Sequence, residues 1–318
     1  MNHCPITYDV ISNHQYYSDK GLHQLSAQLT KLASLPFCAA ELRAEAMTRA
    51  GKMSIQGVQP KLSAQLKIKS GCFELVDQDG HYILKPPSDF YPQLPENEGI
   101  TMSMACRIGI EVPVHGLLYD NDNTMTYFIK RFDRVGHKDK LAVEDFAQLS
   151  QSSRDTKYNS SMEKVAEIVM NSAFCTFPRI EALKLFKLVL FNFLVGNEDM
   201  HLKNFSLLTK NNITGLSPAY DLLNTTIALR HAKEELALPL NGRKNNLRRR
   251  DFIDYFAQTR LQLNAKTIAS VLNTIQKAIP AWRALIQASF LSKEMKKNYL
   301  TLLRERCVRL KLSQPRNS

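Results

Sequence analysis

No two of the six cysteines, at positions 4, 38, 72, 106, 175 and 307, are close enough to form a CxxC pair. In a chain this long, that spacing excludes the usual zinc-ligand signature and a disulfide framework of the small secreted kind; it fits scattered free thiols, mostly buried. An unbroken apolar stretch is missing too. A membrane-spanning helix needs about 20 consecutive apolar residues, whereas the best run, Leu183 to Val195, is interrupted by Lys184, Lys187 and Asn192. It reads instead as a core helix. Met1-Asn2-His3-Cys4-Pro5 has no basic start leading into an apolar segment, so the expectation is a cytoplasmic protein without a membrane partner. Glycine and proline are sparse, 12 and 13 in 318 residues. With no repeat or low-complexity tract, that composition argues against disorder.

What is present is an apolar fraction of 44% in a chain long enough for two lobes. The net charge of +12 is placed unevenly. From Arg243 onward there are 17 Lys or Arg against four Asp or Glu, so the first 242 residues are close to neutral. A nucleic-acid-binding body is therefore disfavoured, and the C-terminal quarter is either a surface for an acidic partner or a solvated helical exterior.

Periodicity predicts helices over 21–33 and 39–50, then strands at 73–76 and 81–84 joined as a hairpin through Asp77-Gln78-Asp79-Gly80. A helix is expected over 97–108, stopped at Gly109, and strands at 114–119 and 126–131. Beyond Phe132 the pattern turns helical. Ser160-x-x-Glu163 reads as a capping box, and 179–194 is the strongest candidate for a central helix. A second hairpin is expected around Lys210-Asn211-Asn212, with helix from Asp251 onward.

The segment carrying most chemistry is Gly196-Asn197-Glu198-Asp199-Met200-His201-Leu202-Lys203-Asn204-Phe205, lying between an apolar helix and a strand. Asp199 and Asn204 stand five apart, the spacing of a kinase catalytic loop, in which Asp takes the acceptor proton and Asn holds magnesium. Asp221 follows seventeen residues later, where a second metal-binding carboxylate belongs. Phosphoryl transfer needs positioned charge more than covalent chemistry, so these groups must converge. Taken alone, Asp199 could be a helix cap or turn residue. Upstream, however, Tyr82-Ile83-Leu84-Lys85 ends a strand in lysine, and Glu98 on the next helix is placed to pair with it. No G-x-G-x-x-G stands before Lys85.

Several motifs together resemble the HipA-like toxin kinases of bacterial toxin–antitoxin modules, most closely the shortened HipT type. They are Ser54-Ile55-Gln56-Gly57-Val58-Gln59-Pro60-Lys61-Leu62, the strand ending in Lys85, Leu94-Pro95-Glu96-Asn97-Glu98, Val112-Pro113-Val114 and Ile129-Lys130-Arg131-Phe132-Asp133-Arg134. Glu144-Asp145-Phe146-Ala147-Gln148, 196–205 and 217–221 match as well. The resemblance covers about 54–225.

It implies an α/β (α+β) two-lobed protein-kinase-like fold, with a strand-rich N-lobe over 1–133 and a helical C-lobe over 134–318. It implies ATP and Mg2+ as cofactors. Lys85 would contact the phosphates and pair with Glu98, and Ser54, Gly57 and Gln59 would belong to the phosphate-binding loop. The backbone from Lys130 to Phe132 would receive adenine, with Asp133 near the ribose. Asp199 is implied as the base, His201 as support for the nucleotide site, and Asn204 and Asp221 as magnesium ligands. Ser54 would be the autophosphorylated residue. Only 53 residues precede Ser54, so a small HipS-like antitoxin is expected to replace a missing first subdomain on apolar surface left bare by the strand-rich lobe. A DNA-binding HipB-like antitoxin is the other expected partner, and an aminoacyl-tRNA synthetase the implied protein substrate.

Two other readings stay open. One is a small-molecule phosphotransferase of the same architecture, though the basic C-terminal region argues against cationic antibiotics as substrates. The other is a nucleic-acid-binding protein using Arg243-Lys244-Asn245-Asn246-Leu247-Arg248-Arg249-Arg250. That run has no interleaved aromatics and no groove-reading motif, so direct specific nucleic-acid binding is not expected.

Overall fold

Apolar residues spaced through the first fifty positions decide how the first sheet buries one face. The computed structural model describes residues 2–49, 59–136, 139–150, 158–229 and 234–312, and contacts divide the chain into two units. The first comprises Met1–Ser103, Pro113–Asp139 and Leu285–Ser292. It opens with a two-stranded ribbon, β1 (Asn2–His3) and β2 (Val10–Ile11), then helices α1 (Asp19–Leu25) and α2 (Ala39–Arg49). Ser18 caps α1 by accepting the Gly21 N–H, one of the donors that a helix start otherwise leaves unsatisfied. The helix expected over 21–33 ends at Leu25. Leu29, Leu32 and Leu35 are buried as a helix would bury them. The N–H groups of Ala33 and Leu35 nevertheless bond the carbonyls of Gly71 and Tyr119, at 2.7 and 2.8 Å, and hold the chain along the sheet.

The sheet consists of β3 (Leu62–Lys67), β4 (Cys72–Leu75), β5 (Tyr82–Lys85), β6 (His115–Tyr119) and β7 (Met125–Lys130), with α3 (Leu94–Cys106) between β5 and β6. Its order is β4-β3-β5-β7-β6, antiparallel throughout. The expected hairpin over 73–84 therefore does not form. β3 lies between its two strands and pairs Ala64 with both Leu75 and Tyr82. The alternation of Leu62, Ala64 and Leu66 with polar neighbours is the strand signal that the hairpin reading passed over. Beyond β7 come β8 (Arg134–Val135) and β9 (Asp139–Lys140).

Leu62, Leu84 and Phe128 lie in register across three strands and join one core cluster with Cys4, Ile6, Leu22, Leu29 and Leu42. That face of the sheet is thus covered by residues 2–49 of the same chain. Successive strand residues face opposite ways, so Lys85 and its register partner Tyr127 belong to the other face.

The second unit comprises Met104–Val112, Lys140–Ala284 and Lys293–Ser318. In chain order its elements are β10 (Ala142–Asp145), α4 (Phe146–Leu149), α5 (Met162–Met170), α6 (Pro178–Val195), β11 (Ser206–Lys210), β12 (Ile213–Leu216) and α7 (Thr225–Ala228). A π-helical segment (Asp251–Arg260), α8 (Ala265–Ala288) and α9 (Lys293–Arg309) complete it. The hairpin β11–β12 forms as expected, turning through Asn211 and Asn212 with φ of 52° and 60°, the left-handed pair that a tight hairpin turn requires. An unforeseen third strand, β10, pairs with β11. The cap of α5 is Ser161 rather than Ser160, accepting from the Lys164 N–H, while Glu163 instead takes the Asn241 N–H at 2.8 Å.

Helix α6 is buried along almost its whole length, which explains why its sequence is apolar on every side. Trp282 packs on Phe191 and donates to the Met104 carbonyl at 2.8 Å, so its polar edge is satisfied inside the core. Much of the basic run has structural partners. Arg243 pairs with Asp251, Lys244 with Glu234, and Arg249 donates to the Leu310 carbonyl. All six cysteines are free, but only Cys4, Cys175 and Cys307 are buried. Among the described residues, no helix is long and apolar enough to cross a membrane.

In the first unit, Glu96 and Asp120 each bury a carboxylate. Burial pushes Glu96 up to about 7, with the Asp120 charge adding to the rise. Burial likewise raises Asp120 to about 6, against hydrogen bonds from Thr124 and Thr126. Both groups hold protons in the folded state that the unfolded chain releases, so their stabilising contribution is complete at about pH 4 and is lost as pH rises towards 7. Glu96→Gln and Asp120→Asn keep the neutral shape. Urea unfolding between pH 5 and 7.5 should show the wild type losing stability more steeply than either variant.

Candidate active site

Pro178 at the first position of α6 and a left-handed Gly196 (φ 72°) at its end fix the length of that helix and the direction in which the chain leaves it. The first residue outside, Asn197, is fully buried. Its amide nitrogen donates to Asn192 Oδ1 at 3.0 Å and to the Asp221 carbonyl at 3.5 Å. Its Oδ1 accepts the Asp199 N–H at 3.2 Å. One side chain thus ties the helix end, the loop and the later acidic segment together.

Asn204 closes the loop from the other side. Its amide nitrogen donates to the Asp199 carbonyl at 2.8 Å, which leaves its Oδ1 as the atom able to bind a cation. A short 3-10 turn, Leu202–Asn204, carries it. His201 is buried, with Nε2 3.9 Å from Asp199 Oδ1. Across the hairpin, the Tyr220 hydroxyl donates to the Lys203 carbonyl at 2.9 Å and lies 2.6 Å from Ser206 Oγ, so the residue before Asp221 is fastened to the loop. Asp221 itself has φ 53°, a strained setting for a non-glycine residue. Thr225 donates to the Gly196 carbonyl, and the Thr226 hydroxyl lies within hydrogen-bond reach of both that carbonyl and Glu198. Burial raises the Glu198 carboxyl, partly offset by that hydroxyl. Asp199, His201, Asn204 and Asp221 therefore belong to one hydrogen-bonded assembly in the second unit.

Among the described residues, no group of three or more His, Cys, Asp or Glu could hold a metal. Asn204 and Asp221 could supply two oxygen ligands, a set that suits a hard cation completing its shell with phosphate oxygens and water.

Lys85 and Glu98 form a pair in the first unit. The Lys85 Nζ lies 2.6 and 2.8 Å from the two Glu98 oxygens, with both residues buried, and 5.5 Å from the Tyr127 ring centroid. Lys130 is exposed at the end of β7, and Phe132 follows in a turn. The Asp133 carboxylate is held by Arg131 at 2.8 Å and Arg134 at 2.6 Å. Burial alone would raise it, but the guanidiniums keep it below its usual value. Gln59 is half-buried, whereas Ser54 and Gly57 lie outside the described residues.

Sequence reasoning passed over Asn197, Tyr220, Thr225 and Tyr158. An asparagine directly after the glycine that ends an apolar helix was a usable signal for the first. Nothing local marks Tyr158, whose hydroxyl donates to Asp199 Oδ1 from 41 residues away, at 2.5 Å.

HipA of Shewanella oneidensis MR-1, solved in a toxin–antitoxin complex with HipB and operator DNA, superposes with a TM-score of 0.67 at 23% identity, covering 89% of this chain and 73% of that one. The proinflammatory kinase CtkA of Helicobacter pylori gives a TM-score of 0.57 at 19% identity, covering 81% and 91%. The fold is kinase-like. Residues 53–283 match the HipA-like C-terminal domain, and the chain belongs to that family. A protein of Haemophilus influenzae named as a kinase by inference is 32% identical over 241 residues, 71% of this chain and 69% of that one. A second such protein, Y4dM of Sinorhizobium fredii, is 36% identical over 197 residues, of which this chain covers only 47% of the length. The chain is a HipA-like kinase.

Removing one member of a buried ion pair strands the other charge and costs about 3–5 kcal/mol. Lys85→Met and Glu98→Gln should each destabilise strongly in urea unfolding. The double variant should be less destabilised than the sum of the two, as expected for groups in contact.

Proposed function

We propose that this kinase transfers the γ-phosphate of ATP to a protein hydroxyl. The observation that carries the reading is the assembly in which Asn197 and Asn204 hold the Asp199 backbone while Asn197 also reaches the Asp221 carbonyl. It supplies one carboxylate to orient an acceptor and two oxygen ligands for a metal, as phosphoryl transfer requires.

In this reading Asp199 accepts the proton of the acceptor hydroxyl, and His201 supports the nucleotide site. Lys85, held by Glu98, contacts the ATP phosphates, and Asn204 with Asp221 holds Mg2+. Bound with ATP, magnesium neutralises charge that develops on the transferring group. The backbone of Lys130 to Phe132 receives adenine. Asp133 lies near the ribose, its position fixed by Arg131 and Arg134. Ser54, Gly57 and Gln59 belong to a loop over the phosphates, with Ser54 the autophosphorylated residue that switches activity off.

The biological reading is a cytoplasmic toxin of a toxin–antitoxin module. The HipA of Shewanella oneidensis, in complex with HipB and operator DNA, supports a DNA-binding HipB-like partner. A HipS-like small antitoxin and an aminoacyl-tRNA synthetase substrate complete the proposal, the latter explaining growth arrest through stalled translation.

Positioned general bases contribute about 10²–10⁴-fold to rate. Asp199→Asn should therefore lose at least a hundredfold in autophosphorylation, read by radiolabel transfer, while calorimetry shows ATP binding within a few-fold of wild type. Asp221→Asn should instead weaken ATP binding in magnesium. Near-normal transfer by the Asp199 variant rejects the assignment.

A further inference from the structure

Tyr158 touches the candidate active site from the acceptor side. Its hydroxyl donates to Asp199 Oδ1 at 2.5 Å, and its ring stands edge-on to His201, with centroids 4.9 Å apart and planes at 88°. A carboxylate that orients an acceptor must take that hydroxyl at about 2.6–3.2 Å. Here a phenol of the chain itself already takes one of the two carboxylate oxygens, Oδ1. We infer that Tyr158 is an acceptor-side gate, which occupies the position of an incoming hydroxyl before Asp199 and swings out to admit it.

Burial raises the Tyr158 hydroxyl, and the Asp199 and Glu234 charges push the same way. It therefore stays protonated and remains a donor, so the gate opens by rotation of the side chain rather than by ionisation. The residue is 39% exposed, so swinging outward uncovers little apolar surface, unlike a core aromatic such as Phe205 at 2%. Hydrogen bonds to a charged acceptor are the stronger kind. A water molecule, which brings no other contact, competes poorly with the phenol. A protein acceptor brings an extended set of contacts and can displace it. The gate thus selects against hydrolysis of ATP by water while leaving transfer to a docked hydroxyl open. This inference rests on the reading of Asp199 as the hydroxyl-orienting carboxylate.

The test uses the dephosphorylated full chain with MgATP and no added protein, and measures the initial rate of free-phosphate release, which counts transfer to water and not phosphate kept on the chain, for wild type, Tyr158→Phe, Tyr158→Ala and Asp199→Asn. Losing one hydrogen bond to a charged group should raise kcat about three- to tenfold in Tyr158→Phe. The KM for ATP should be unchanged, and Tyr158→Ala should be at least as fast. The alanine variant covers the case in which the phenylalanine ring alone still blocks the carboxylate. If both Tyr158 variants run no faster than wild type while Asp199→Asn is inactive, the gate is overturned and the catalytic reading stands. If Asp199→Asn turns over normally, the catalytic reading fails and the gate falls with it.

Discussion

One buried amide holds the candidate active site together. Asn197 joins the end of α6, the Asp199 backbone and the Asp221 carbonyl. Each bond contributes only about 0.5–1.5 kcal/mol net, but a buried polar group left without a partner costs about 1–3 kcal/mol. The arrangement is therefore specified more by what its loss would strand than by what its bonds add. Asn197 can take this place because Gly196 before it turns left-handed at φ 72°. A Cβ at Gly196 would lie 2.4 Å from Leu302 Cδ2 and 2.7 Å from Thr226 Oγ1, so α9 and α7 close over the turn.

The first unit uses charge where the second uses amides. Lys85 and Glu98 face each other from β5 and α3 with almost no exposure. Desolvating two ions costs several kcal/mol, and their attraction repays it only in good geometry, so such a pair is weak evidence for stability. Its consequence is positional: the lysine ammonium is held at the end of a strand whose opposite face is fixed by Leu84 in the core. The fold thereby converts ordinary strand alternation into a placed cation.

Legibility in the sequence followed the range of the signal. The apolar helix α6 and the Asn211-Asn212 turn are local patterns, and each led to the right element. Pairing is not local. The Asp77–Gly80 turn looked like a hairpin because nothing in it shows that β3 will slip between β4 and β5. The leucines from Leu25 to Leu35 have helical spacing, yet the carbonyls of Gly71 and Tyr119 capture that backbone instead. The hydrogen bond between Tyr158 and Asp199 is the extreme case, since only the folded chain brings those two residues together.

The covering of the sheet by residues 2–49 has a consequence for synthesis. Cys4, Ile6 and Leu22 leave the ribosome before their partners, which include Leu84 and Phe128. Until the chain has emerged as far as Phe128, residues 2–49 have no completed surface to bury against. Closing that distance early is entropically costly, so the nascent chain keeps this apolar segment exposed for several seconds at about 5–20 residues per second. That interval is when a holdase chaperone has something to grip.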